Sequence, residues 1–175
     1  MLTFVLTMVL AASPQVEAVA ALRATPRFAE YRVVAYGGTL SDPQIVTSEQ
    51  RRFRTLLRKA ISKGYGVVEG GTEHERIGPN FAGHYILVQW GCGLPCMETA
   101  VIDAKDGRVL RLPRIPGDTD SRGFVVPTSS DDLRELQFKR ESRLLGIPYV
   151  EDGMTYWYSL ARDWKLIGKT RTRVN

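Results

Sequence analysis

From residue 84 onward the chain is a series of short apolar runs separated by turn residues, and no other feature constrains its fold as strongly. The runs that have the length and composition of β-strands are residues 84–90, 99–103, 108–112, 142–150, 155–160 and 164–170. Between the second and third runs, Asp106-Gly107 provides the positive φ angles that a tight turn needs. Strands joined by short turns pair antiparallel, so the pattern predicts a mainly antiparallel sheet.

One helix precedes these strands. Thr47 and Gln50 have the spacing of a capping box, and Gly64 provides a stop. Between them, apolar residues recur at helical spacing at positions 53, 56, 57, 60 and 61. Residues 19–47 read as an extended lead-in, 64–83 and 114–132 as loops, and 130–140 as ambiguous. We therefore predict a single α+β domain over residues 19–175, in which one helix packs on a mostly antiparallel sheet of about five or six strands. A small β-sandwich with a peripheral helix is the alternative.

The first residues resemble an export signal. Residues 1–12 are apolar apart from two threonines, and Val16-Glu17-Ala18 has small residues where a signal peptidase cuts. The run is shorter than the ~20 apolar residues that a membrane-spanning helix needs. Residues 1–18 are therefore predicted to be a secretory signal peptide, although no Lys or Arg precedes the apolar run; a buried N-terminal helix is the alternative. The mature protein would be periplasmic or secreted and would have no transmembrane helix.

The charge balance is basic. The whole chain has a formal net charge of +5, and removal of residues 1–18 leaves 24 basic against 18 acidic residues, or +6. The basic residues cluster in the helix and the C-terminal tail, where they form either a solvated surface or a site for anions. An exported protein would meet an envelope protein or an anionic cell-wall component first. Nucleic acid is not an expected partner, because the sequence contains no nucleic-acid-binding motif.

Two cysteines, Cys92 and Cys96, are the only ones in the chain, and Gly93 and Pro95 lie between them. In an oxidising compartment such a pair most simply forms a disulfide that shapes a turn. A redox dithiol, a zinc site completed by His74 and His84, and a cysteine nucleophile with His84 as base are the alternatives. An extended strand would hold His84 and Cys92 about 26 Å apart, which argues against a shared site. We expect neither a metal nor another cofactor.

A catalytic role would rest on His84, with Asn80 and Tyr85 beside it. His84 would act as a general base, and Asn80 would donate a hydrogen bond to an oxyanion. Against this, His84 shares strand parity with apolar neighbours, which favours a structural histidine whose polar atoms are satisfied in the core or at the sheet edge. The sequence places no nucleophile close by.

The segment 78–85 (GPNFAGHY), together with Trp90-Gly91-Cys92-Gly93, Cys96 and the strand at 100–103, resembles a family of small exported bacterial proteins of unknown function. The resemblance is strongest over residues 78–112. It implies a location in the bacterial envelope and an oxidised Cys92–Cys96 pair. It implies no enzymatic activity.

The function most consistent with these features is a non-enzymatic binding or interaction module of the bacterial envelope. Two turns are candidate binding surfaces, and their candidate residues are Asn80, Phe81, Gly93 and Leu94. The alternative is a small periplasmic hydrolase that uses His84 as its general base.

Overall fold

The computed structural model describes residues 25–63, 78–93, 96–117, 125–127, 136–149 and 152–172. Within these residues, one helical layer and two antiparallel β-sheets form three layers. A short 3-10 helix, Phe28–Tyr31, precedes them and packs against the second sheet.

The first sheet is built around a long hairpin. Its strands are β1 (Tyr85–Gly93), β2 (Cys96–Asp103), β3 (Val109–Arg111) and β4 (Val125–Pro127). β1 pairs with one edge of β2, whereas β3 and β4 pair with different parts of its other edge, in each case antiparallel. Gly107, in the turn before β3, has a φ of 78°. Asp106 has no positive φ, so only one residue of the predicted Asp-Gly pair needs the left-handed conformation.

The second sheet is a simple meander. Its strands are β5 (Gln137–Lys139), β6 (Ser142–Tyr149), β7 (Met154–Leu160) and β8 (Trp164–Arg171), and they lie in the order β5-β6-β7-β8. β6 and β7 are buried along most of their length, since the first sheet covers one face of this sheet and the 3-10 helix packs against β6.

The helical layer consists of α1 (Ser48–Arg52) and α2 (Arg54–Lys63). The predicted capping box is confirmed, because Thr47 accepts a hydrogen bond from the Gln50 backbone and the Gln50 side chain accepts one from the Thr47 backbone. The Leu57 amide donates to the Phe53 carbonyl, and the Phe53 amide donates to the Glu49 carbonyl, as in a continuous helix. The two segments therefore behave as one helix with an irregularity at Phe53.

Alternate residues of the first sheet face different layers. Tyr85 and Leu87 belong to the core between the two sheets, whereas Ile86 and Val88 pack under the helix. Because both faces of β1 are covered, nearly all of its described side chains are apolar, where a strand exposed on one face would alternate with polar residues.

The predicted α+β class, with mostly antiparallel strands and one packed helix, is confirmed. The strand arrangement differs from the prediction, because the described strands form two sheets rather than one of five or six strands. The structure thus combines the two predicted architectures: its sheets face each other, and its helix packs firmly on one of them. Within the described residues, no helix is long and apolar enough to cross a membrane. The predicted signal peptide at residues 1–18 lies outside the described residues.

Candidate functional site

His84 immediately precedes β1, at the end of the first sheet that also carries the β2–β3 turn. Its carbonyl oxygen accepts a hydrogen bond from the Ala104 amide at 2.9 Å. Its side chain is 25% exposed, and Nε2 lies 3.5 Å from Oδ2 of the nearly buried Asp103. His84 lies one residue before the strand, and its side chain is partly exposed rather than fully buried. The structure instead places an imidazole beside a carboxylate at the protein surface.

The environment of His84 favours its neutral form. Burial lowers its pKa from the ordinary value of 6.5, and this effect exceeds the opposing attraction of Asp103. Lys105 lowers the pKa further, whereas Asp106 raises it. An uncharged imidazole is the form that a general base requires.

The lowered pKa of His84 predicts a dependence of stability on pH. In the unfolded chain His84 returns to its ordinary pKa of 6.5, so near and below this pH the unfolded state binds more protons than the folded state. The contribution of neutral His84 to the free energy of unfolding is fully present above pH 6.5. It is lost as the pH falls through the lowered pKa that His84 has in the folded protein. Between about pH 7.5 and about pH 5, we expect the wild type to lose more unfolding free energy than His84→Gln. Urea denaturation of both proteins measures this difference, and equal pH dependence, or a larger loss in the variant, would contradict it.

Of the two residues predicted beside His84, Tyr85 contacts its ring, with ring centroids 4.2 Å apart, whereas the Asn80 amide is bound to β1. The Asn80 amide donates to the Leu87 carbonyl at 2.9 Å and accepts from the Leu87 amide at 2.7 Å, and it thereby pairs with the edge of β1 as a neighbouring strand would. The Tyr85 ring is buried between the sheets, and burial raises the pKa of its hydroxyl. Both side chains have structural partners that explain their positions.

Phe81 is fully buried, and its ring stacks on Trp164 with centroids 6.0 Å apart. It therefore presents no ring surface to a partner. The loop that contains Phe81 precedes β1, and Gly93 ends β1, so the two turns considered as binding surfaces lie at opposite ends of one strand. Leu94 lies outside the described residues.

The cysteines lie near the hairpin end of the first sheet. Cys92 is in β1 at a bulge, Cys96 begins β2, and Gly93 pairs with Cys96 across a two-residue connection. This backbone register brings the two cysteine positions to adjacent strands, while His84 is at the other end of β1. The disulfide remains a prediction, since the side chains of residues 91–97 are outside the description. Among the described residues, no group of three or more His, Cys, Asp or Glu could hold a metal ion.

The outward side of α1 and α2 carries a concentration of basic residues. Residues 48–63 contain six basic residues and a single acid, Glu49. Leu57, Ala60 and Ile61 are buried against the first sheet. Helical spacing turns four of the basic residues away from that sheet without a ring contact, whereas the exposed Arg52 places its guanidinium group 5.2 Å from the centre of the Phe53 ring. We call this group the basic face: Arg51, Arg54, Arg58 and Lys59.

The acids around the helix leave most of this positive charge uncompensated. Arg111 of β3 forms an ion pair with Glu49. Glu98 accepts a hydrogen bond from the Trp90 indole at 2.9 Å, and burial raises the pKa of Glu98 while Arg52 lowers it. Within the described ranges, the side chains of Arg54, Arg58 and Lys59 form no ion pair or hydrogen bond. These three residues of the basic face can therefore attract an anion without first breaking an internal contact, whereas Arg51 already donates to the Val46 carbonyl.

Asp103 shapes the turn that follows β2, because its Oδ1 accepts a hydrogen bond from the Lys105 amide at 2.9 Å. Its approach to His84 is not among the features predicted from the sequence. The signal that would have found it is the hairpin register, which places Asp103 opposite Tyr85 and so brings it next to His84.

Comparisons with known proteins identify no relative for this chain. No family model matches it, and neither the curated proteins nor the solved structures contain a significant match. The resemblance to a family of small exported proteins stays a prediction.

Proposed function

We propose that this protein is exported to the bacterial envelope, where it acts as a non-enzymatic module that binds an anionic polymer through the basic face. One observation carries the proposal: the apolar side of the helix is fixed on the first sheet, and its outward side presents uncompensated positive charge. A helix held in this way is a rigid surface whose cations are already positioned for a ligand.

The arrangement of charges on the helix supports this proposal. Arg54 and Arg58 are four residues apart in α2 and are both exposed. Like charges at this spacing destabilise a helix by about 0.2–0.5 kcal/mol per pair. A bound polyanion would remove this repulsion. The repulsion between Arg54 and Arg58 therefore lowers the stability of the helix slightly, and binding of an anionic ligand would restore it.

The packing of the helix also bears on the kind of partner. Amphipathic helices that bind membranes insert an apolar face between the lipids. Here Leu57, Ala60 and Ile61 are buried in the protein and cannot insert without unfolding the helical layer. The attraction is therefore electrostatic, which favours a soluble or wall-attached polymer and predicts strong weakening by salt.

The proposed location follows from the predicted signal peptide and from the resemblance to exported proteins. The backbone register near Cys92 and Cys96 supports the proposed disulfide, because it brings the two positions to neighbouring strands at the hairpin. An oxidising compartment is the environment in which such a pair persists.

The test is the affinity of the protein for a linear polyanion before and after charge reversal on the basic face. The double substitution Arg54→Glu and Arg58→Glu should weaken binding at least about tenfold, since each basic residue near an anionic surface contributes about 1 kcal/mol. Glutamate is as good a helix former as arginine, so the fold should be retained. Binding is measured by fluorescence anisotropy of a labelled polymer at low salt.

Arg140→Glu with Arg162→Glu is the matched control. Both arginines are exposed in turns of the second sheet, and the control changes the net charge by the same amount as the test variant. The control should retain most of the affinity. If the two double variants weaken binding equally, net charge rather than the basic face is responsible and the proposed site is wrong.

A second candidate function is hydrolysis with His84 as general base. The observation that favours it is the Asp103 carboxylate 3.5 Å from Nε2, which would orient the neutral imidazole and leave Nδ1 to accept a proton from water. The structural contacts of Asn80 weigh against the predicted catalytic trio. A hydrolytic activity that His84→Gln abolishes without changing the fold would favour this function over binding.

A further inference from the structure

We infer that the ligand of the basic face is a phosphodiester polymer, and that Arg54 and Arg58 each bind one phosphate of the same chain. This inference rests on the proposed function and deepens it, because it names the chemical group that the face recognises. It depends on the type, spacing and neighbours of the basic residues rather than on their charge alone.

The basic face is mainly made of arginine, with Lys59 as its one lysine. A guanidinium group is planar and donates two parallel hydrogen bonds to one oxyanion, whereas an ammonium group acts as a point charge. A surface that attracted anions by charge alone would work equally well with lysine. Three arginines in one row therefore indicate recognition of oxygen pairs.

The spacing of the row fits a repeating ligand. Arg54 and Arg58 are one helical turn apart, so their Cβ atoms are about 5–6 Å from each other. Arg51 extends the row toward the N-terminal end of the helix, and its Nη1 donates to the Val46 carbonyl at 3.2 Å. A linear polymer that places successive anions about 6 Å apart can engage Arg54 and Arg58 without bending the helix.

A hydroxyl group accompanies the arginines. Thr55 is exposed on the same side of α2, next to Arg58 and Lys59 in helical projection, whereas the nearby Ser62 hydroxyl donates to the Lys59 carbonyl at 3.3 Å. A carboxylate has its two oxygens and their lone pairs in one plane, so a guanidinium group and any further donor must approach it within that plane. A phosphate is tetrahedral and presents further oxygens out of that plane, so it can accept from a guanidinium group and a hydroxyl together. A surface that combines guanidinium groups with a hydroxyl group therefore favours phosphate over carboxylate.

Nucleic acid is a phosphodiester polymer too, but its single-stranded form binds proteins largely through bases stacked on aromatic rings. Phe53, the aromatic residue of the helix, points inward and packs on Trp90 with ring centroids 5.0 Å apart. The described basic face therefore offers no aromatic ring to a base. A polymer of phosphate and small polyols needs no such ring.

The test compares the affinity of the intact protein for poly(glycerol phosphate) and for poly-L-glutamate of equal charge number. The same comparison is made with the double variant Arg54→Lys and Arg58→Lys, which keeps the charge and the helix but lacks both guanidinium groups. We expect the wild type to bind the phosphate polymer at least about fivefold more tightly than polyglutamate, and the lysine variant to lose most of that preference. Vesicles of phosphatidylglycerol and phosphatidylcholine in equal parts, together with single-stranded DNA, complete the set of probes.

The outcomes separate this inference from the proposed function. Equal affinity of the wild type for both polymers, or an unchanged preference in the lysine variant, overturns phosphate recognition and leaves polyanion binding intact. Tighter binding to vesicles or to DNA than to poly(glycerol phosphate) overturns the polymer named here. If the wild type binds no probe, the inference and the proposed function both fail.

Discussion

Replacement of Phe81 by alanine is expected to lower the free energy of unfolding by about 3–5 kcal/mol, the range for removal of a buried phenylalanine ring. The ring has no exposed surface and contacts Trp164 by stacking and Phe138 edge-on, with centroids 6.0 and 6.2 Å away. It thus lies in the core between the two sheets, and its loss leaves a cavity that the strands cannot fill. Urea denaturation measures the change.

Val34→Ala is the control for this prediction. Val34 is 92% exposed, so its truncation should change stability by less than about 0.5 kcal/mol. If Phe81→Ala is as mild as Val34→Ala, then Phe81 is not the core residue described above, and the loop before β1 would return as a candidate binding surface.

Gly107→Ala should destabilise the protein by about 3 kcal/mol or more, for two separate reasons. Gly107 has a φ of 78°, which side-chain-bearing residues rarely adopt. A Cβ atom at this position would also overlap the Asp42 carbonyl oxygen, because residues 42–44 cross close to the turn and the Gln44 amide donates to the Gly107 carbonyl at 2.7 Å. The lead-in would have to move away from the β2–β3 turn.

Gly117→Ala separates the two causes. Gly117 has a φ of 88°, yet an added Cβ would meet nothing within 4 Å. This control should therefore lose only the conformational contribution, about 1–2 kcal/mol. Thermal or urea denaturation of both variants gives the comparison, and a Gly107→Ala loss no larger than that of Gly117→Ala would show that the close approach of residues 42–44 does not matter.

The parts of the fold that local sequence determines could be predicted. The capping box at Thr47 and the apolar period of the helix act over a few residues, and β6, β7 and β8 are joined by short turns, so their pairing follows chain order. The division of the strands into two sheets could not be predicted from local sequence. It depends on contacts between distant segments, such as β4 with β2, and on β1 being buried on both faces.

The same distinction between local and long-range contacts applies to the candidate site. The basic face could be predicted, since one helical period assigns the apolar and the basic residues to opposite sides. The roles of Phe81 and Asn80 could not, because a loop rich in Gly and Pro suggests surface exposure. In the folded protein the Phe81 ring enters the core and the Asn80 amide pairs with the Leu87 backbone. The Asn80 contact forms only when β1 lies beside that loop, and the Phe81 contacts form only when the second sheet packs on the loop.

Polyanion binding by the basic face can be located by titrating the isotope-labelled protein with poly(glycerol phosphate) and following its NMR signals. We expect the largest chemical-shift changes in residues 51–59, with the guanidinium signals of Arg54 and Arg58 among them, and we expect added salt to reverse these changes. Largest changes around His84 and Asp103, or along β8, with the helix signals unmoved, would contradict binding by the basic face.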